Sequence, residues 1–208
     1  VVVAEMSVSL DGFAAGPDPS LEDPLGRGGM ELHEWAFRLA AWRAQHGLEG
    51  GEVDVDSELV EQQLAGTGAV VMGRKMFSGG EGGWEGDPKA SGWWGDEPPF
   101  HKPVFVVTHH AREPLALGET TFTFVTGGVE AAVERAGAAA GGKDVHVSGG
   151  ADVVQQCIRA GLVDVLDLHL VPIFLGSGRR LLDGLEPARL ELERVVAAPR
   201  ATHVRYRL

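Results

Sequence analysis

The chain holds one cysteine, one tyrosine and 18 basic residues against 30 acidic ones in 208 positions. A lone Cys157 excludes an internal disulfide and a cysteine-based zinc site; among apolar neighbours in a helical pattern it reads as packing. The net charge of −12 argues against a nucleic-acid backbone as partner, because phosphates along a strand need clustered Lys and Arg. It leaves room for an anionic cofactor held by a few local cations and helix N-termini. No apolar run approaches the ~20 residues that cross a bilayer, and VVVAEMSVSL lacks the basic region and cleavage site of a signal peptide. The expectation is a soluble, cytoplasmic protein without a membrane or nucleic-acid partner. Several signatures are missing too: GxGxxG, the P-loop, the GxSxG elbow and HExxH. His101, His109 and His110 lie close in sequence, but adjacent strand residues point to opposite faces, so no metal site is expected.

What is present is an alternation of strand and helix signals. Apolar or alternating runs at residues 1–10, 68–72, 104–108, 121–126, 145–147 and 162–174 read as strands. Helical spacing marks residues 30–45, a segment capped by Asp56 or Ser57 and running to 64, residues 129–140, and the stretch after Gly150. Residues 190–197 and 202–208 form a hairpin around Ala198-Pro199-Arg200. With no repeat and no hinge-like linker, residues 1–208 read as one α/β domain with a mostly parallel central sheet. Residues 78–103 are irregular and carry Trp84, Trp93 and Trp94. Such a loop either folds back on the core or lines a ligand cleft, with Trp84 then a substrate contact.

Three strands end in residues suited to binding: Gly73-Arg74-Lys75, Thr108, and Ser148-Gly149-Gly150 followed by the helix start Ala151, Asp152 and Val153. Glycines at a strand-to-helix corner let a ligand approach the backbone, and first-turn amides attract phosphate. In open α/β sheets, ligands sit at the carboxyl ends of strands. Each feature has a plain reading as well: a basic helix start, a cap, an ordinary corner. Asp11, before Gly12, is either a turn residue or a cleft residue. Glu31 and Glu34 are either solvated helix charges or proton donors.

The order SLDGFAAGPD, VVMGRKMF, VFVVTH, VHVSGGADVVQQCIRAGLVDVLDLHLVPIFLGSGRRLLDGL and a terminal hairpin resembles the dihydrofolate-reductase-like superfamily. Within it, the chain is similar to the reductase domain of bacterial bifunctional riboflavin-biosynthesis deaminase-reductases. The likeness covers nearly the whole chain and departs at residues 17–51 and 78–103. It implies a three-layer α/β/α fold on a mixed eight-stranded sheet, and an NADPH-dependent reductase. Gly73, Arg74, Lys75 and Thr108 would hold the adenosine phosphate end. Gly149 and Gly150, joined by a cis bond, would take the pyrophosphate with the amides of Ala151, Asp152 and Val153. Asp11, Gly12 and Phe13 would close over nicotinamide and substrate, with Asp11 or water supplying the proton. Arg179 and Arg180 could grip a ribose phosphate. The implied acceptor is a small heterocycle or ribose derivative, as for 5-amino-6-(5-phosphoribosylamino)uracil reductase or dihydrofolate reductase. A rival reading is a non-catalytic nucleotide sensor, marked by a cleft plugged with Trp84 or Trp93; a third is a flavin enzyme. Exposure of the strand at 163–174 suggests a homodimer.

Overall fold

A computed structural model describes residues 1–80, 82–87 and 89–208. The β-branched start of the chain forms β1 (Val2–Ser9), and after the Asp11-Gly12 turn comes a short β2 (Phe13–Ala15). Residues 30–45 do not make one helix. They form a 3-10 turn (Gly29–Leu32) and two short helices, α1 (Glu34–Phe37) and α2 (Ala40–Gln45). The break falls at Leu39, which is extended and bridges to Glu52. Leu32, Trp35, Ala36 and Leu39 nevertheless share one buried cluster, so the apolar spacing survives where the helix does not. The helix α3 (Val55–Gly66) is capped by Asp54, whose carboxylate accepts from the Ser57 amide; Asp56 lies inside the first turn.

The remaining elements follow in chain order: β3 (Thr67–Gly73), α4 (Arg74–Ser78), β4 (Pro103–Val107), β5 (Leu115–Leu117) and β6 (Thr120–Val125). Then come α5 (Gly128–Ala139), β7 (Asp144–Gly149), α6 (Ala151–Arg159), β8 (Val165–Val171), β9 (Arg179–Arg180) and the hairpin of β10 (Glu191–Ala197) and β11 (Thr202–Arg207). The sheet has nine strands, one more than the resemblance implies, in the order β10-β11-β8-β1-β7-β3-β4-β6-β5. The neighbours from β8 to β6 run parallel, while β11 and β5 run antiparallel beside them. β2 and β9 form a separate pair. β8 lies between β1 and β11 and is buried, so of residues 163–174 the exposure expected is confined to the flanks, Phe174 above all. The edge strand β10 also exposes apolar side chains, at Leu192 and Val195.

Alternation sorts the side chains. Ala4, Val8, Ala69, Val71, Val145, Val147, Leu166 and Leu168 face α5 and α6 and bury Cys157 with them. Burial pushes the Cys157 thiol up to about 12, in keeping with a packing role. On the other face, Val70, Met72, Val104 and Val106 pack on Phe77 of α4. Beside them the same face turns polar, with Glu5, His146, His169 and His203 under α1 and α3.

These groups are joined in series. Glu5 receives His146 at 3.0 Å and His169 at 2.8 Å; His169 Nδ1 meets His203 Nδ1 at 2.7 Å; His203 Nε2 meets Asp56 at 2.6 Å. His203 and Asp56 are 1% and 0% exposed, so water cannot substitute for these partners. The hydrogen bonds linking Asp56, His203, His169 and Glu5 each need one proton. Because the two rings meet through their Nδ1 atoms, the tautomer of one sets that of the other, and the series acts as a unit.

This network makes folding pH-dependent. Burial, then the charge of His169, holds His203 and His33 below their ordinary value of 6.5, His33 at about 4. Burial raises the Glu5 carboxyl, but the bonds from His146 and His169 outweigh it and hold it well below the usual range. All three shifts favour the deprotonated form in the folded state. Their stabilisation is full above an unfolded histidine pKa of about 6.5 and is lost as pH falls. Urea midpoints are expected to drop steadily from about pH 7 to pH 4, the histidines acting first and Glu5 only at the acid end. Equal midpoints across that range would contradict the assignment.

Candidate functional site

Parallel strands end on one side of a sheet, which brings the termini of β1, β7, β3 and β4 to a common edge. Gly149 closes β7 with φ +124, and its bond to Gly150 is cis. Facing it is Gly73, where an added Cβ would lie 2.9 Å from Val153 Cγ2 and 3.8 Å from Gly149 O and Gly150 N. The end of β3 thus touches the start of α6 with no side chain between them. Nothing lies within 4 Å of where a Cβ on Gly150 would stand, and no side chain caps the helix. The amides of Ala151 and Asp152 stand beside this open space at the positive end of a nine-residue helix. Val153 is different. Its amide donates to Gly150 O and its side chain is buried against Gly73, so it supports the cradle and is not a ligand amide. Ser148 is half-buried one residue before the corner.

Asp11 does not suit the role of proton donor. Its carboxylate accepts from the Leu175 amide at 3.1 Å and the Gly176 amide at 2.7 Å. The Ser9 hydroxyl, then these amides, hold its carboxyl down at about 2, so it is ionised at neutral pH. Its work is to tie the first-strand loop to the loop after β8. Gly12 has φ +88, and Phe13 is buried beneath the Arg180 guanidinium, 4.4 Å from its ring centre. Arg180 also donates to Asp11 O at 2.8 Å, and Arg179 pairs with Asp152. The pairing of β2 with β9 therefore sets two arginines between the Asp11 loop and the cradle.

The third part of the edge is built around Arg74. It is 8% exposed and donates to Ser78 and to Asp87, itself 7% exposed. Its guanidinium carbon lies 3.7 Å from the Trp84 ring centre, and that of Arg112 lies 4.6 Å from it. Burial and the charge of Arg74 push Arg112 below its ordinary value, while Arg74 keeps the Asp87 carboxyl low against the opposing effect of burial. Lys75 is exposed on α4. Thr108 is buried, and its hydroxyl accepts from the His110 amide at 3.2 Å, the cap reading of that residue.

Trp84 is not with Asp11, Gly12 and Phe13. It donates to His110 O and packs on Phe77 and Phe124, on the β3-β4-β6 side. Four strand spacings separate β1 from β6, roughly 19 Å at about 4.8 Å each. Trp93 donates to Met76 O and lies over Gly79, so the tryptophans pack around α4 and leave the space at Gly150 open. Glu31 and Glu34 are exposed. No acid or histidine cluster fit for a metal occurs among the described residues, nor any helix long and apolar enough to cross a membrane. A cavity of about 650 Å³ lies at the opposite edge of the sheet, lined by Leu64, Thr67, Phe100 and Lys102. It shares no residue with the glycine corner.

Sheet order, glycine corner and loop clasp together define an α/β protein whose parallel strands end at an open, uncapped helix start. The sequence matches the RibD C-terminal domain over residues 1–204, and the chain belongs to that family. Comparison with curated proteins gives no match. Among solved structures, a putative riboflavin biosynthesis protein from Shewanella sp. PV-4 is similar, with TM-score 0.65 and 19% identity over 99% of this chain and 97% of that one. A deaminase/5-amino-6-(5-phosphoribosylamino)uracil reductase from Thermotoga maritima gives 0.55 and 15% over 99% of this chain, which spans 56% of that longer protein. Dihydrofolate reductase from Enterococcus faecalis, complexed with NADP(H), gives 0.52 and 14% over 100% and 95%. The structures establish the dihydrofolate-reductase-like fold, and the family supports a reductase of the riboflavin-pathway type.

The contact of Gly73 with α6 is testable by stability. Gly73→Ala forces a methyl against Val153 and is expected to cost about 1–3 kcal/mol, with Val153→Ala restoring part of the loss. Additive losses in the double variant would show that the two do not touch.

Proposed function

We propose that the chain is an NADPH-dependent reductase that transfers hydride to a small heterocyclic or ribose-derived acceptor. The observation that carries this reading is the open, uncapped start of α6 at Gly150, with Arg179 and Arg180 on one flank and Arg74 and Arg112 on the other. The donor set fits a dinucleotide: amides and a helix dipole for a pyrophosphate, guanidinium groups for further phosphate, glycines where backbone must come close. Bound there, the nicotinamide would supply the hydride. The protein's own part is orientation and exclusion of water, with Asp11 holding two loops together as one wall. Since Asp11 is ionised, the proton comes from water. Arg180 beside the Asp11 loop suits an anionic acceptor. The open space at Gly150 supports an enzyme over a sensor with a plugged cleft. A homodimer belongs to the same proposal, with the edge strand β10 as the pairing surface.

Titration with NADPH, followed by tryptophan fluorescence, is the direct test. Gly150→Ala is expected to keep the circular dichroism of the parent yet weaken binding by about tenfold, because its methyl enters the space the anion needs. A parent protein that binds no nicotinamide nucleotide would end the enzyme reading. Asp11→Asn is expected to lower turnover through loop order, with the pH–rate profile unchanged in shape between about pH 5 and 8. A shifted acid limb would restore Asp11 as the proton donor.

A further inference from the structure

The guanidinium that an NADPH phosphate would need is already holding a carboxylate. Arg74 gives Nη1 to Ser78 and Nη2 to Asp87, and one face of it lies against Trp84. Each of those nitrogens carries a second N–H, and Nε is buried without a partner among the described residues. The pair fits closely: a Cβ on Gly80 would come within 2.6 Å of Asp87 Oδ2 and 2.7 Å of Arg74 Nη2, so the chain is bare where the ion pair lies against it. Asp87 is fixed in turn, since its other oxygen accepts from the Lys89 amide at 2.8 Å. Both Asp87 and Trp84 come from the irregular segment between α4 and β4, the region in which this chain departs most from the family pattern.

A carboxylate and a phosphate oxygen make the same kind of charge-assisted contact with a guanidinium. Arg74 is 8% exposed and enclosed by Ser78, Asp87 and Trp84, so an anion arriving there has to displace Asp87 or share its charge. We infer that Asp87 is a specificity-determining residue: it occupies the phosphate position on Arg74 and weakens binding of nucleotides that carry a 2′-phosphate, while leaving unphosphorylated nucleotides unaffected. The inference rests on the nicotinamide reading above and concerns one end of that site. Arg112, the second guanidinium on Trp84, prevents the cluster from being neutralised outright. The site thus keeps one positive charge for the incoming phosphate while Asp87 lowers its strength.

The test compares NADPH with NADH, and 2′,5′-ADP with 5′-ADP, by calorimetry on the parent, Asp87→Asn, Arg74→Ala and the double variant. Asp87→Asn is expected to tighten NADPH and 2′,5′-ADP by about tenfold, leave NADH and 5′-ADP within about twofold, and lose that gain once Arg74→Ala is added. Weaker NADPH binding in Asp87→Asn, or an equal change for both members of each pair, overturns the inference. If the parent and Asp87→Asn bind none of these nucleotides, the cofactor reading itself falls and the inference with it. If Asp87→Asn does not fold, the parent still answers through Trp84. Displacing Asp87 with 2′,5′-ADP should alter the emission that Trp84→Phe removes, and 5′-ADP should not. Identical spectra with the two ligands would likewise overturn it.

Discussion

The candidate site depends on a close contact that only the absence of a side chain at Gly73 permits. Gly73 at the end of β3 meets the Gly149–Gly150 corner and Val153 at the start of α6, with room for nothing larger than a hydrogen. That closeness sets the direction of α6 and hence of its dipole. It also fixes where α4 begins, because Arg74 is the next residue after Gly73. One short contact thereby orients two parts of a site whose charges would otherwise be independent. The same contact joins the apolar cluster under α5 and α6 to the one around Phe77 across the sheet. Packing and binding geometry share a cause here.

The two faces of the sheet use opposite chemistry to reach the same rigidity. Beneath α5 and α6, aliphatic side chains interlock. Beneath α1 and α3, acids and imidazoles bond in series, and each link defines the orientation of the next ring. A series of this kind tolerates little sideways movement, since displacing one strand breaks bonds on both of its edges. The strands that carry it, β1, β8 and β11, are also the ones that bring Asp11 and the loop after β8 to the cleft. The polar half of the layer holds that side of the edge in place without contributing a residue to it.

Local chemistry was legible in the sequence and long-range pairing was not. Ser148-Gly149-Gly150 followed by an amphipathic run marks a strand-to-helix corner within a few residues, and parallel topology then places Arg74, Thr108 and Asp11 on the same edge. Asp87 gives no such signal, because its partner depends on the path of an irregular segment. The polar positions Glu5, Ser7 and Ser9 alternate visibly, as do Asp167 and His169, but alternation alone reads as a face turned to solvent. Only the covering helices show it to be buried. The spacing of Leu32, Trp35 and Leu39 reveals a shared face, yet it cannot reveal that Leu39 leaves the helix to bridge with Glu52. The bonds that hold Asp11 are equally hidden, since its amide partners lie more than 160 residues away in sequence.

That last separation has a consequence for how the molecule comes into being. The clasp between Asp11 and the amides of Leu175 and Gly176 spans more than 160 residues, and β1 itself is flanked by β7 and β8, both made well after it. Contacts of such span close slowly, because a long loop must be ordered before any bond rewards it. During synthesis, β1 waits for β7 and β8, and the clasp closes only after the loop that follows β8 has emerged. Anything seated across both loops would act on this closure, by holding the two distant segments together.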